Sequence, residues 1–580
     1  MRLTVSGRQR LILVVLLTAN AVAVVAFTWV LVQHAAIPDG PLEAEVVVSW
    51  SLLVVVVAME LLRLVQTCGL CVFACLARDP VPMEPLHGAR VAFLTTIVPT
   101  REPVNLVLKT LRAMRQVVHE GPMDLWILDE ENDPDVRGAA AHLGIKHFSR
   151  HERPEYNTNA GEFRARTKAG NHNSWRAEHG AEYDIVAQVD PDHVPRPEFL
   201  ARTLGYFRDP DVAFVVAPQV YGNTADSFVA HAAAAQGYVF TGIVQRGGNG
   251  VGVPLLIGTN HVYRMDAWAQ VNGYQDSIIE DHLTSMVVHG TVNPRTGNRW
   301  VGVYTPDILA VGEGPSTWSD FFHQQERWCS GIWQILLRRR GPTRRRLSVR
   351  QRLAYAFLQS FYPVVGMCWF LGNLATVGYV TGMAQHPAPD RAGWTSMGMW
   401  CLVMISWVAL FGRLRRWYLC PAERSESVLR PWLITVLAAP VYARAGLSTV
   451  LGRQLGYVVT GKGDLRTGDT PWTFRTHLAW ALVLVLALLG GVALEGGGPV
   501  SYFWAVVGLA VCLGPPSAAM LRGAIRYPDG KLPARRSRES PLRSRPRRTG
   551  AGPRRPPPGP PGLPATAQSR RSRTGTARPR

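Results

Sequence analysis

The stretch Ile185-Val186-Ala187-Gln188-Val189-Asp190-Pro191-Asp192 has the form of a short buried strand that runs into two carboxylates one residue apart. In open α/β sheets, ligands bind beyond the carboxyl ends of the strands. Two acids at such an end can hold a hard divalent cation together with phosphate oxygens. The cation would neutralise a diphosphate as it leaves. A D-x-D is a short pattern and mostly structural where it occurs, so its weight here comes from its place at a strand end.

The surrounding sequence has the same texture from about Gly88 to Arg340. Apolar runs Val91–Val98, Leu125–Leu128 and Val212–Val216 also end in polar residues. Helical stretches alternate with them; Val104–Val118 carries Leu106, Leu108, Leu111 and Met114 among its apolar positions. The alternation predicts a mostly parallel sheet with helices on both faces, in a domain spanning 88–341.

Outside that domain the chain is apolar. Leu11 to Val32 is long enough to cross a bilayer, and a second run extends from Val46 to about Ala77. Arg2, Arg8 and Arg10 precede the first run, the joining loop carries Asp39, Glu43 and Glu45, and Arg78 follows the second. The positive-inside rule makes 1–87 a transmembrane hairpin with both ends in the cytoplasm. Further spans are predicted at Leu353–Val380, Trp394–Phe411, Leu478–Leu494 and Tyr502–Leu521, within a region covering 342–522. The run Pro431–Leu451 contains Pro440, Arg444 and Gly446 and has basic segments on both sides, so we read it as an interfacial helix. Six spans then leave both termini inside.

The 580 residues are 47% hydrophobic and 18% charged, which excludes a wholly disordered chain. The formal charge of +20 sits mostly in the tail, where Lys531–Arg580 holds fifteen Lys and Arg against the single acid Glu539. That Pro- and Arg-rich tail, 523–580, is expected to be disordered and to lie near anionic headgroups rather than to bind nucleic acid. Cys68-x-x-Cys71 lies in an apolar helix with no second pair, so neither zinc nor a structural disulfide is expected.

Four more features of the central domain suggest chemistry. Pro99-Thr100-Arg101-Glu102 joins a strand end to a helix start, a place suited to a nucleotide and equally to a plain turn. Asp129-Glu130 ends another strand; an acid there can accept hydrogen bonds from a base or ribose, or simply face solvent. Ile278-Ile279-Glu280-Asp281-His282 follows the Gly273-Tyr274 turn, and a carboxylate there could take a proton from a hydroxyl nucleophile. Acids at an ordinary helix N-terminus look the same. Gln324-Gln325-Glu326-Arg327-Trp328 puts Gln324 and Arg327 on one helix face, next to a flat indole.

Taken in order, these motifs resemble the membrane-embedded family-2 glycosyltransferases of the cellulose synthase-like group. The signature D, D-x-D, E-D, Q-x-x-R-W is matched by Asp129, Asp190/Asp192, Glu280-Asp281 and Gln324/Arg327/Trp328. Lys168-Ala169-Gly170-Asn171-His172-Asn173 resembles the K-A-G-N-x-N segment, Gly258-Thr259-Asn260 the acceptor-side G-T-N, and Tyr457–Gly463 the F-x-V-T-x-K-G gating loop with Thr460 and Lys462. Departures are Glu130 where relatives often have Gly, Arg101 where many have Asn, and Tyr457 for Phe. No sizeable folded region is expected after the last span, so a cyclic-di-GMP receptor of the PilZ type is not expected.

The resemblance implies an α/β GT-A (nucleotide-diphospho-sugar transferase) cytoplasmic domain inserted between transmembrane α-helices of the plasma membrane. It implies inverting transfer from a nucleotide diphosphate-sugar, UDP-glucose being favoured, to a growing β-glycan that leaves through the helices. Asp281, with Glu280, is expected as the base, and Asp190 and Asp192 as ligands of Mg²⁺ or Mn²⁺. Thr100, Glu102, Asp129, Lys168 and Asp190 are expected at the donor. Gln324, Arg327, Trp328, Gly258, Thr259 and Asn260 are expected at the acceptor and diphosphate, with Tyr355, Tyr362, Trp369 and Phe370 as channel candidates. The expected partners are the donor, a glycan acceptor, the lipid bilayer and export or accessory subunits, with no nucleic acid. Rival readings are a non-processive glycosyltransferase with a lipid or short-glycan acceptor, a non-catalytic export or scaffold component, and a nucleic-acid-binding membrane protein.

Overall fold

Val91–Ile97 is apolar or hydroxylated at every position and buried at every position, as a central strand covered on both faces must be. In the computed structural model of the protein it lies within a seven-stranded sheet. The described residues are 1–34, 44–338, 342–384, 390–419, 427–453 and 468–524. Met1–Gly523 forms one unit, and Ala524–Arg580 a second, of which only Ala524 is among the described residues.

The strands in chain order are β1 Val91–Ile97, β2 Met123–Asp129, β3 Lys146–Phe148, β4 Ile185–Gln188, β5 Val212–Val216, β6 His261–Arg264 and β7 Val301–Tyr304. Their spatial order is β7-β5-β6-β4-β1-β2-β3. The pairs β1–β2, β1–β4, β2–β3 and β5–β7 are parallel. β6 is antiparallel to both β4 and β5. The sheet is therefore mixed around one reversed strand. Helix Val104–Met114 follows β1 and ends four residues before the expected boundary, with Arg115 as its C-cap. Apolar layers cover both sheet faces; Phe93, Leu111 and Phe199 lie in one, Leu94, Trp175 and Trp268 in the other.

Seven described helices are long and apolar enough to cross a membrane: Gly7–Gln33, Ala44–Leu76, Val349–Val380, Gly393–Tyr418, Arg430–Val450, Pro471–Ala493 and Pro499–Leu521. Six correspond to the expected spans. The seventh, Arg430–Val450, is the run expected at the interface, and it qualifies because Arg444 is its only charge beyond the terminal Arg430. Its apolar side packs with helices Val349–Val380 and Pro499–Leu521, while its polar side chains meet the central domain. Arg430 meets His231 at 2.8 Å, Gln236 donates to Thr435 at 2.9 Å, Tyr442 donates to Gln325, and Arg444 pairs with Glu326 at 2.8 Å.

Candidate active site

One cavity of about 1150 Å³ begins at the carboxyl ends of β1, β2 and β4 and continues to the apolar helices. Helix Lys168–His179 opens it. Thr167 caps that helix by accepting from the Gly170 amide at 3.1 Å. A side chain at Gly170 would collide with the Arg164 carbonyl (2.2 Å) and the Arg150 guanidinium (2.5 Å), so the position needs glycine. The fold thereby aims Lys168 Nζ at both the Asp190 carboxylate and the Gly258 carbonyl. Thr259 Oγ1 accepts from the Asp190 amide at 2.9 Å, tying the G-T-N turn to the D-x-D.

The cavity wall carries Thr100 and Glu102 at one end, then Lys168, Asp190, Gly258 and Thr259, then Glu280 and Asp281. Gln324, Arg327 and Trp328 close the same space from helix Trp318–Arg338. Of the channel candidates only Tyr362 lines it, and three of the expected donor, metal and acceptor residues do not. Asp129 is buried, and its carboxylate accepts from the Glu131 and Asp133 amides (3.0 and 2.6 Å) and lies 3.2 Å from His147 Nε2. Its neighbours Glu130 and Glu131 line the cavity instead, and Glu131 accepts from the Thr100 amide and hydroxyl. Asn260 is turned inward and donates to the Pro218 carbonyl at 3.0 Å. Asp192 is buried and accepts from the Glu313 amide at 3.2 Å. Thr460 and Lys462 lie outside the described residues.

Asp192 nevertheless belongs to a donor set. Oxygens of Asp190 and Asp192 and a ring nitrogen of His193 lie within 4.8 Å of one another. His193 Nδ1 is 3.2 Å from Asp192 Oδ1, while its Nε2 is buried with no hydrogen-bond partner among the described residues. The ring is held against Gly312, where a Cβ would sit 2.3 Å from it. Two hard carboxylates and one imidazole suit a small divalent cation. The D-x-D was legible in the sequence; the imidazole beside it, one residue on, was the overlooked third donor.

Glu280 and Asp281 start helix Glu280–Gly290 side by side. Burial, and then the adjacent Asp281 charge, push the Glu280 pKa up to about 7. Burial also raises Asp281, against the amide of His282, which donates to Asp281 Oδ1 at 2.7 Å, and the charges of Arg327 and Lys168. Burial thus makes both carboxyl groups more ready to take up a proton than an exposed acid, the direction a general base needs.

A mixed sheet whose strand ends carry this acid set, placed between apolar helices, is a GT-A domain inserted between membrane helices. Residues 185–380 match the family model described as glycosyl transferase family group 2. The UDP-forming cellulose synthase catalytic subunit of Xanthomonas axonopodis pv. citri is 28% identical over 50% of this chain and 38% of that protein. Its counterpart of the same description from Pseudomonas fluorescens is 26% identical over 48% of this chain and 36% of its own length. A probable glucomannan 4-beta-mannosyltransferase of Oryza sativa subsp. japonica is 26% identical over 35% of this chain and 36% of that protein. The chain thus spans well under half the length of these relatives. Among solved structures, a Pyrobaculum calidifontis mannosyltransferase in complex with GDP-Man and Mn²⁺ is similar at TM-score 0.46 and 14% identity, over 70% of this chain and 99% of that one. The comparisons thus support a family-2 glycosyltransferase of the cellulose synthase-like group.

Proposed function

We propose that the protein transfers a sugar, with inversion, from a nucleotide diphosphate-sugar to the end of a β-glycan, and passes the product between its membrane helices. The observation that carries this reading is the continuity of the cavity. The space that holds Asp190, Asp281 and Arg327 runs on to Phe357, Phe361, Trp407, Phe411 and Trp432 of the apolar helices. Flat apolar side chains are the surface a sugar ring stacks on, and a membrane passage must be lined by protein. UDP-glucose is the favoured donor, and the cytoplasmic face of the plasma membrane the favoured setting.

In this reading Thr100 and Glu102 sit at the nucleoside and Lys168 at the diphosphate. Asp190, Asp192 and His193 would hold Mg²⁺ or Mn²⁺. That ion, when bound, neutralises the developing charge on the leaving diphosphate. Asp281 takes the proton from the attacking acceptor hydroxyl, and Glu280 beside it raises its basicity. Gln324, Arg327 and Trp328 hold the acceptor end against the sugar to be transferred.

The test is turnover by the purified full chain of a panel of labelled nucleotide sugars with Mg²⁺ or Mn²⁺. The product is then sized and digested with β-glucanase or β-mannanase. A long, β-glycanase-sensitive polymer is the expected result. Short products on a lipid or small glycan would replace the processive reading with the non-processive one.

A further inference from the structure

The helix that begins with the acid pair is joined to membrane helix Val349–Val380 by a polar seam. His289 Nδ1 lies 2.8 Å from the Tyr355 hydroxyl, and Gln351 donates to the His289 carbonyl at 3.3 Å. About two turns closer to Asp281, Gln359 Nε2 lies 3.1 Å from His282 Nε2 and also 3.1 Å from Met286 Sδ.

That double contact fixes a tautomer. A thioether sulfur only accepts hydrogen bonds, so the Gln359 group facing it is the amide NH₂ and not the oxygen. The same NH₂ faces His282 Nε2, which must then be the accepting, unprotonated nitrogen. The ring proton resides on Nδ1. Burial holds the His282 pKa down to about 4, so the ring stays neutral near pH 7. His282 lines the cavity directly after Asp281, and with Nε2 turned to Gln359 the Nδ1 is the ring nitrogen left for the cavity.

The geometry points to His282 as a further substrate-binding residue: its Nδ1–H, set by Gln359, donates to an oxygen of the acceptor sugar beside the attacking hydroxyl. The acceptor rather than the donor is chosen because Lys168 and Asp190 stand on the helix Lys168–His179 and just beyond β4, whereas Gln359 and Tyr355 come from the membrane helix along which the cavity continues. This inference rests on the glycosyltransferase reading above.

The test uses three variants of the purified full chain, His282→Ala, His282→Gln and His282→Asn, with cellotetraose and mannotetraose as acceptor probes and the labelled nucleotide sugars as donors. An asparagine amide nitrogen falls where Nδ1 sits, and a glutamine amide nitrogen where Nε2 sits. Alanine and glutamine are expected to raise the KM for the oligosaccharide by roughly tenfold, the scale of one hydrogen bond lost to a substrate. Asparagine is expected to hold it within about threefold of the native enzyme, the small change left when the hydrogen bond is kept. Titration calorimetry with UDP and GDP checks that each variant still folds and binds nucleotide. Equal behaviour of asparagine and glutamine, or a native oligosaccharide KM in the alanine variant, overturns the assignment. A native enzyme that binds nucleotide but extends neither probe nor any polymer overturns the proposed function itself.

Discussion

Arg150 and Glu130 form a two-point ion pair next to the Lys168 end of the cavity. Nε and Nη2 donate to the two carboxylate oxygens at 3.0 and 2.7 Å, and the arginine side chain is 1% exposed. The remaining donors are spent on the backbone: Nη1 reaches the Tyr156 and Arg164 carbonyls, and Nη2 the Thr167 carbonyl. One guanidinium therefore ties β2 to the loop that delivers Lys168. Arg150→Met leaves Glu130 and several carbonyls without their donor, and breaking such a buried pair costs about 3–5 kcal/mol. The expected result is a clear loss of thermal stability, read by unfolding of the purified protein. Arg150→Lys is expected to recover little, because an ammonium lacks the planar fork.

The acid pair predicts the pH profile. As the proposed base, Asp281 must be ionised, and burial raises its pKa above the usual carboxylate range. Transfer rate is expected to rise with pH through that raised range. Removing the neighbouring charge with Glu280→Gln should move that limb to lower pH. Asp281→Asn should cut transfer by about 10²–10⁴-fold while nucleotide binding persists. The stability effect has the opposite sense to activity. The native Glu280 holds its proton more tightly than an unfolded chain does, so its contribution to folding falls as pH rises from the usual carboxylate range to about 7. Initial rates and unfolding midpoints across this range check both statements.

The donor set predicts a steric route to metal loss. At Gly312 a Cβ would stand 2.3 Å from the His193 ring, and the Gly312 backbone is fixed on both sides by bonds to Val220 and Gly222. Gly312→Ala must therefore push the imidazole aside. We expect Mn²⁺ affinity in the presence of UDP to drop by about 10–100-fold, the scale of second-layer changes at metal sites. Asp192→Ala should remove metal-dependent nucleotide binding altogether. Electron paramagnetic resonance of Mn²⁺ reads both, and native affinity in either variant would make the D-x-D-H cluster structural.

Much of the sheet was legible because short apolar runs stop at or just before an acid or a proline: β1, β2, β4 and β5 were all expected within two residues. The reversed strand β6 was not, since His261-Val262-Tyr263-Arg264 has no apolar run and takes its place only by pairing with β4 and β5. The motif spacing likewise marked Lys168, Asp190, Asp281 and Arg327, which meet at one cavity. It could not show which member of Asp129-Glu130-Glu131 faces that cavity. Asp129 is turned away by two amide hydrogen bonds within its own turn, a local geometry that composition does not encode.

The helix Arg430–Val450 carries the last prediction. Its length and hydropathy permit a span, yet its polar side chains are matched to the catalytic domain: Arg430 to His231, Thr435 to Gln236, Tyr442 to Gln325 and Arg444 to Glu326. A helix in lipid would leave such groups to neighbouring spans, whereas a helix lying between domain and bilayer meets them from the domain side. Basic residues also flank it at both ends, Arg415 and Arg416 before and Arg453 after, which a spanning helix would put on opposite faces against the charge rule. An interfacial helix would leave residues 457–463, which lie outside the described residues, on the same side of the membrane as the basic segments that flank it. Single cysteines at Gly463→Cys and Arg538→Cys, in a background without the native cysteines, are expected to resist a membrane-impermeant thiol reagent in intact cells and to react after lysis. Labelling of position 463 in intact cells would make Arg430–Val450 a true span.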